Sequence, residues 1–216
     1  MDPVTRYIHE FNKNGVFEKW GWVFYRCTYN NDEGWNYFKQ MITQEMHKDI
    51  ANSDTPDINH LLDDNLKMTF IEDRKAFDGA SKDQLRAHFQ DGLRTRPPLR
   101  TRMLLGSLIQ ICVLYDLEKP QGLLGQERWG YVNFVDDCWK SLSERYAIAQ
   151  DPDLKQEIED ELEERYEPSE GCVEGNVGWM MLDTIDVSAD FYHTICGFTQ
   201  EVWSIYYQRP PGTVSW

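Results

Sequence analysis

Residues 20–29 read Trp-Gly-Trp-Val-Phe-Tyr-Arg-Cys-Thr-Tyr, followed by Asn30-Asn31-Asp32 and then by Trp35, Phe38, Ile42 and Met46. A run this dense in aromatic and β-branched side chains is a strand. The Asn-Asn-Asp segment turns the chain and caps a helix, and the apolar residues that follow at helical spacing carry that helix to about Ile50. The unit is therefore β-to-α, and the rest of the chain extends it. Upstream, residues 1–15 hold an N-terminal helix: Asp2 caps, Pro3 suits the first turn, and Val4, Tyr7, Ile8 and Phe11 share a stripe. Downstream, Lys67–Asp73 is a second strand, and Ser81-Lys-Asp-Gln84 is a capping box opening a helix. Third and fourth strands fall at Leu108–Tyr115 and Trp129–Val135, with a long loop between them holding Pro120, Gly122 and Gly125 that suits a flap. Gly178–Leu182 adds a fifth strand. Val187, Phe191, Ile195, Phe198, Val202 and Ile205 trace one helical stripe that stops at Arg209-Pro-Pro-Gly. The expected fold is one α+β domain over residues 1–216, with a mixed four- or five-stranded sheet.

Within that domain, residues 151–170 carry ten acidic side chains against Lys155 and Arg165, yet Leu154, Ile158, Leu162 and Tyr166 recur every four. An acidic helical insertion capped by Asp151 and entered through Pro152 follows, rather than a structureless tail. The whole chain has 37 acidic and 22 basic residues and a formal charge of −15, which repels phosphate backbones and anionic lipid heads. Nucleic acid and membrane are not expected partners. The start lacks a basic flank with an apolar run, and no stretch reaches the roughly 18–20 apolar residues of a spanning helix, so a cytoplasmic location is expected. Cys27, Cys112, Cys138, Cys172 and Cys196 are odd in number and widely spaced, which predicts reduced thiols.

Successive strand side chains point to opposite faces, so each strand splits into two sets. One set is Val23, Tyr25, Cys27, Thr69, Ile71, Ile109, Ile111, Val113, Val132 and Phe134, apolar enough to receive the long helices. The other is Trp22, Phe24, Arg26, Met68, Phe70, Glu72, Gln110, Cys112, Trp129, Tyr131 and Asn133, aromatic with polar groups set into it. A solvated face would carry Lys, Glu, Thr and Ser instead. The aromatic face is thus expected to be covered, by a ligand, by another chain or by the remaining helices. If it is a pocket, Arg26, Glu72 and Tyr131 are the candidate catalytic residues, and Trp22, Phe24, Phe70, Gln110, Trp129 and Asn133 the candidate substrate-binding residues. If it is not, Arg26 and Glu72 form a partly buried ion pair beneath the helices.

Other chemistry is thinly represented. His9, His47, His60, His88 and His193 show no metal-ligand spacing, and no zinc-type Cys/His cluster occurs, so no metal is expected. Asp63-Asp64 and Asp136-Asp137 flank loops and read as caps or turn stabilisers. Asp78-Gly79-Ala80-Ser81 lacks phosphate-loop spacing, and neither G-x-G-x-x-G nor G-x-S-x-G is present. No cofactor is expected. Arg94, Arg96, Arg100 and Arg102 form a basic cluster that would pair with the acidic helix or hold an anionic substrate group.

Tyr25-Arg-Cys-Thr-Tyr29 with Trp35 and Phe38, Glu72-Asp-Arg-Lys-Ala-Phe-Asp-Gly-Ala-Ser81, and Trp203-Ser-Ile-Tyr-Tyr-Gln-Arg-Pro-Pro211 resemble segments of a multicopy family of small cytosolic proteins of filamentous fungi, from about residue 20 to 211. The resemblance implies a fungal, intracellular protein and transfers no catalytic residue. By analogy with genes beside fungal natural-product pathways, it admits a cofactor-independent cyclase, pericyclase (Diels-Alder type) or isomerase acting on an apolar small molecule in secondary metabolism. Such an enzyme needs only a shaped cavity and one or two hydrogen-bonding or acid–base groups. The alternative is a non-catalytic protein whose aromatic sheet face binds a ligand, a partner or a second copy of the chain as a homodimer.

Overall fold

The computed structural model describes residues 20–53, 56, 59–93, 109–112, 130–192 and 200–214. Its centre is a six-stranded mixed sheet. The strands are β1 (Val23–Tyr25), β2 (Thr69–Ile71), β3 (Ile109–Cys112), β4 (Tyr131–Asp136), β5 (Trp179–Asp183) and β6 (Thr213–Val214), in the order β2-β1-β3-β4-β5-β6. β1 runs parallel to β2 and β3, β4 is antiparallel to both its neighbours, and β6 runs parallel to β5. The α+β class is as expected from the sequence, with one strand more. The N-terminal helix, the flap loop, the basic cluster and Trp129 lie outside the described residues.

Local signals explain the helices. In α1 (Asp32–Ala51), the Asn31 side chain accepts the Gly34 N–H at 2.7 Å, and Trp35, Phe38, Met41, Ile42, Met46 and Ile50 are buried along one stripe. α2 (Asn59–Asn65) contributes Leu62, and α3 (Arg74–Phe77) is capped by Asp73. α4 (Lys82–His88) opens on the Ser81/Gln84 capping box and runs into a π turn at Phe89–Leu93. α5 (Leu142–Ile148) has a second capping box, Ser141 with Glu144. The acidic helix α6 (Pro152–Glu163) is capped by Asp151 and buries Ile158. The predicted C-terminal helix appears in its described parts as a helical turn at 189–192 and as α7 (Gln200–Tyr206).

Register decides what faces what. Val23 pairs with Gln110, Phe24 with Ile111, and Ile111 with Phe134. β3 and β4 are therefore one residue out of phase with the two faces expected from the sequence, and with a period of two that offset exchanges their faces relative to β1. Trp22, Phe24, Phe70, Val132, Phe134, Met180, Leu182 and Val214 belong to a single core with α1, Leu62, Phe191, Tyr192 and Trp203. The long helix covers the Trp22/Phe24 side and not the Val23 side, which corrects the expectation that the long helices pack on the Val23/Ile71 set and leave the other face for a pocket or an interface. Helices also cover the second face: Val23, Tyr25 and Cys27 pack with Phe77 of α3, Leu85 of α4 and Phe89. A strand with parallel neighbours on both sides is ordinarily buried on both faces, and β1, parallel to β2 and β3, is buried at every position.

Gly21 allows β1 to meet the chain before β2. At φ 131°, its missing Cβ would stand 2.6 Å from the Lys67 carbonyl oxygen. Trp20 donates its indole N–H to the Leu62 carbonyl at 2.8 Å and fixes α2 on the same edge. No helix of the described residues is long and apolar enough to cross a membrane.

Candidate functional site

The residues expected to form one pocket fall into three places. Trp22 and Phe24 are almost fully buried, and the chain's own rings occupy their faces: Phe24 stands 5.5 Å from Phe38 and 5.0 Å from Phe70, and Trp22 is 6.0 Å from Phe191 and 5.0 Å from Tyr192. The aromatic set is core. Arg26 is buried beyond the end of β1, donating from Nε to the Thr28 carbonyl at 2.9 Å and from Nη2 to the Asn31 carbonyl and the Asp32 carboxylate, with its guanidinium 4.4 Å from the centre of the Tyr29 ring. Glu72 instead accepts from Lys39 at 2.6 Å. The expected Arg26–Glu72 pair is thus replaced by two separate pairs, and both cations stand 5.6 Å from the Trp35 ring.

Arg26 therefore closes the loop between β1 and α1. Arg26→Ala strands two main-chain carbonyls and is expected to lower stability by about 2–3 kcal/mol, the value of hydrogen bonds from a charged donor. A melting temperature equal to wild type would refute that role.

Gln110, Tyr131 and Asn133 occupy register positions on the opposite face, the side of Val23 and Tyr25. Asn133 is 1% exposed, and neither its amide oxygen nor its amide nitrogen has a hydrogen-bond partner among the described residues. A buried amide left unmatched is destabilising, so Asn133→Leu is expected to raise stability by about 1–3 kcal/mol. A lower denaturation midpoint would overturn that reading. On the same face the Tyr25 hydroxyl shares a 2.9 Å hydrogen bond with His88 Nδ1, and burial holds the phenol well above its ordinary pKa. Tyr25 is a neutral anchor for α4, unsuited to acid–base work near neutrality.

A different cluster forms past the end of β4. A pocket of about 200 Å³ is lined by Asp136, Trp139, Lys140, Leu142, Arg145, Glu161, Glu174, Asn176, Trp203 and Ser204. Arg86 of α4 fixes its rear wall: Nε donates to the Asp136 carbonyl at 2.9 Å, Nη2 to the Gly178 carbonyl at 2.8 Å, and Nη1 to the Asp83 carboxylate at 2.5 Å. The same guanidinium lies 4.8 Å from the Trp139 ring, whose N–H donates to the Asn176 carbonyl at 3.1 Å. Gly178, at φ 72°, leaves room for that ring; a Cβ there would stand 2.3 Å from Trp139 Cγ. On the other side, Arg209 Nε donates to the Glu174 carbonyl at 2.9 Å, and the Tyr207 hydroxyl accepts from Val177 and donates to Gly175. The turn that carries Glu174 is thereby tied to the C-terminal segment.

Three residues of its lining stand out. Asp136 Oδ1 accepts the Cys138 N–H at 2.9 Å, as expected of a turn-stabilising Asp. Burial nevertheless pushes its carboxyl up to about 6; Asp137 adds to that, and the Cys138 N–H and Arg86 act against it. Glu174 accepts the Leu142 N–H at 3.0 Å through Oε2, and burial raises its carboxyl too. Trp203 is 8% exposed, packed against Phe134 at 5.5 Å and Tyr207 at 5.7 Å, and its indole N–H has no partner among the described residues. At the rim, Arg145 pairs with Glu161 at 3.2 Å and joins α5 to α6.

The sequence shows Asp136 only as one of two adjacent acids. The groups that make it a site arrive from α5, α6, the turn before β5 and α7, and no spacing rule connects them. Asp136, Asp137 and Cys138 bring three ligand-type atoms within 4.8 Å of one another. Arg86 already supplies positive charge to Asp136, and nothing further at this turn points to an ion. No protein-family model, curated protein or solved structure matches the chain.

Proposed function

We propose that the protein is a cofactor-independent acid–base enzyme, an isomerase or cyclase, whose site is the pocket at Asp136. The observation that carries the reading is one largely desolvated carboxyl, Asp136, that lines a pocket of about 200 Å³ and is pushed up to about 6. A general base or acid works best when its pKa lies near the operating pH. In its ionised form Asp136 takes a proton from a carbon next to a carbonyl. Asp136 then returns the proton to a neighbouring carbon or oxygen, so that substrate and product are isomers and the enzyme is unchanged. Every group in that cycle belongs to the chain.

A pocket of about 200 Å³ is smaller than the roughly 300–1,000 Å³ that holds drug-sized ligands, so the substrate is small. The setting in fungal secondary metabolism rests on the sequence resemblance alone. We prefer this reading to an interaction protein because Trp22, Phe24 and Phe70 of the expected interface pack in the core with the chain's own helices. The test is hydrogen exchange: α-hydroxy and α-amino carbonyl compounds are incubated with the protein in D2O and followed by NMR. Exchange at the α carbon that disappears in Asp136→Asn supports the proposal; a panel that exchanges no faster than in buffer refutes it.

A further inference from the structure

We propose that α6 is a lid on the Asp136 pocket, latched by Arg145, and that the pocket fills and empties when the latch lets α6 swing away from α5. This adds control of entry to the acid–base site and rests on that reading for what passes through.

The helix is held thinly. Ile158 is the one buried residue of its twelve, and a segment with so little apolar burial opens at a far smaller free energy than the sheet beside it. Its polar fastenings run to α5: Arg145 to Glu161 at 3.2 Å, the Tyr146 hydroxyl to Glu159 at 2.7 Å, and Lys155 over the Tyr146 ring at 5.3 Å. Both ends are jointed. Ala149 and Asp151 before α6 and Glu164 after it have extended backbone, with ψ 131°, 125° and 136°, and the chain is tied down again where the Tyr166 N–H donates to the Val173 carbonyl at 3.1 Å. α5 stays with the body through buried Leu142, whose N–H is accepted by Glu174.

Charge loads the helix toward release. Along α6, Asp153, Glu157, Glu159, Asp160, Glu161 and Glu163 stand against Lys155. Asp153 with Glu157, Glu157 with Glu161, and Glu159 with Glu163 are like charges four apart, each pair unfavourable in a helix. The last turn has acids and no base, which opposes the macrodipole. Closure also brings Glu161 near enough to Glu174 to raise its carboxyl, and Arg145 acts the other way. All three line the pocket. Arg145 therefore holds the lid's Glu161 and the wall's Glu174 at one rim, and without it the closed rim sets two carboxylates against each other. It is a positioning residue with no part in proton transfer.

The test is amide hydrogen–deuterium exchange on the full chain, at one pH and without ligand. Amides of Lys155–Glu163 are expected to exchange at least about 100-fold faster than those of Val132–Val135 in β4, a modest share of the span between local and global opening. Arg145→Gln should speed α6 exchange by about fivefold more, the upper range for an ion pair that reaches solvent, and leave β4 unchanged; Arg145→Lys should stay within about twofold of wild type. Glu161→Gln breaks the same pair but also removes the carboxyl that repels Glu174, so it should open α6 less than Arg145→Gln does. Access to the pocket is read by carboxyl labelling with a water-soluble carbodiimide and glycine ethyl ester. Labelling of Asp136 and Glu174 should rise in Arg145→Gln in step with α6 exchange, whereas the exposed Glu33 should label as before. Amides of α6 as protected as those of β4, wild-type α6 exchange in Arg145→Gln, or unchanged labelling of Asp136 and Glu174 while α6 opens would each overturn the proposal. A lid that opens in a protein catalysing no α-carbon exchange sinks the catalytic reading alone, and catalysed exchange with α6 as protected as β4 sinks the lid alone.

Discussion

Asp136→Asn is expected to lower the rate of α-proton exchange by about 10²–10⁴-fold, the usual contribution of a general acid or base, while raising the melting temperature above pH 6. The second half follows from the carboxyl's own energetics. Its pKa rises from 3.8 in the unfolded chain to about 6 in the fold, so between those values the folded state holds a proton that the unfolded state releases. Stability is therefore fully present below about pH 4 and is lost as pH rises through about 6, by on the order of 2–3 kcal/mol from this group. Asparagine keeps the acceptor for the Cys138 N–H and has nothing to ionise. Melting curves from acid to neutral pH should fall in the wild type and be flatter in the variant, with a residual slope of the same sign from Asp49 and Glu174, both raised by burial. In the wild type, exchange should increase with pH through about 6 as the base form appears. A variant less stable than wild type at neutral pH would mean that the ionised carboxylate supports the fold, and the acid–base assignment would fail with it.

Phe134→Ala is expected to cost about 3–5 kcal/mol, the range for deleting a buried aromatic ring. Phe134 is 1% exposed and sits where β4 meets three rings: Trp22 edge-on at 6.3 Å, Phe191 at 5.5 Å and Trp203 at 5.5 Å. No single neighbour can fill the space it leaves. Against a total of roughly 5–15 kcal/mol for a domain, such a loss brings the fold close to its limit. It should appear as a lowered urea midpoint. A loss under about 1 kcal/mol would contradict this central place, since only surface substitutions are so mild.

Much of this architecture can be read locally. Asn31 ahead of Asp32, Ser81 with Gln84, and Asp151 before Pro152 all cap helices where the sequence places them. The alternation within β1 is also legible, since Trp22 and Phe24 do separate from Val23 and Tyr25. What no local pattern encodes is how one strand's alternation is phased against the next. The apolar set Ile109, Ile111, Val132 and Phe134 suits either side of β1, which is buried on both, and only the pairing of Val23 with Gln110 selects between them. That single offset turns an expected pocket into core and moves Asn133 and Tyr131 away from Phe24. The site at Asp136 is hidden for a related reason. Its carboxyl owes its character to burial, and the residues that line the pocket with it lie up to 68 positions away at Ser204.

Trp203 also makes the molecule responsive to light in a useful way. Most indoles among the described residues, Trp20, Trp22, Trp35, Trp179 and Trp203, are buried, so their emission belongs to an apolar, rigid environment and shifts to the red together when the core opens. Trp203 differs because it shares a cavity with a carboxyl that changes charge near pH 6. The emission of the folded protein should accordingly carry a component that titrates with Asp136 and shrinks in Trp203→Phe, the rest coming from Trp139 in the same pocket, so that the charge state of the pocket can be followed by fluorescence without an added dye.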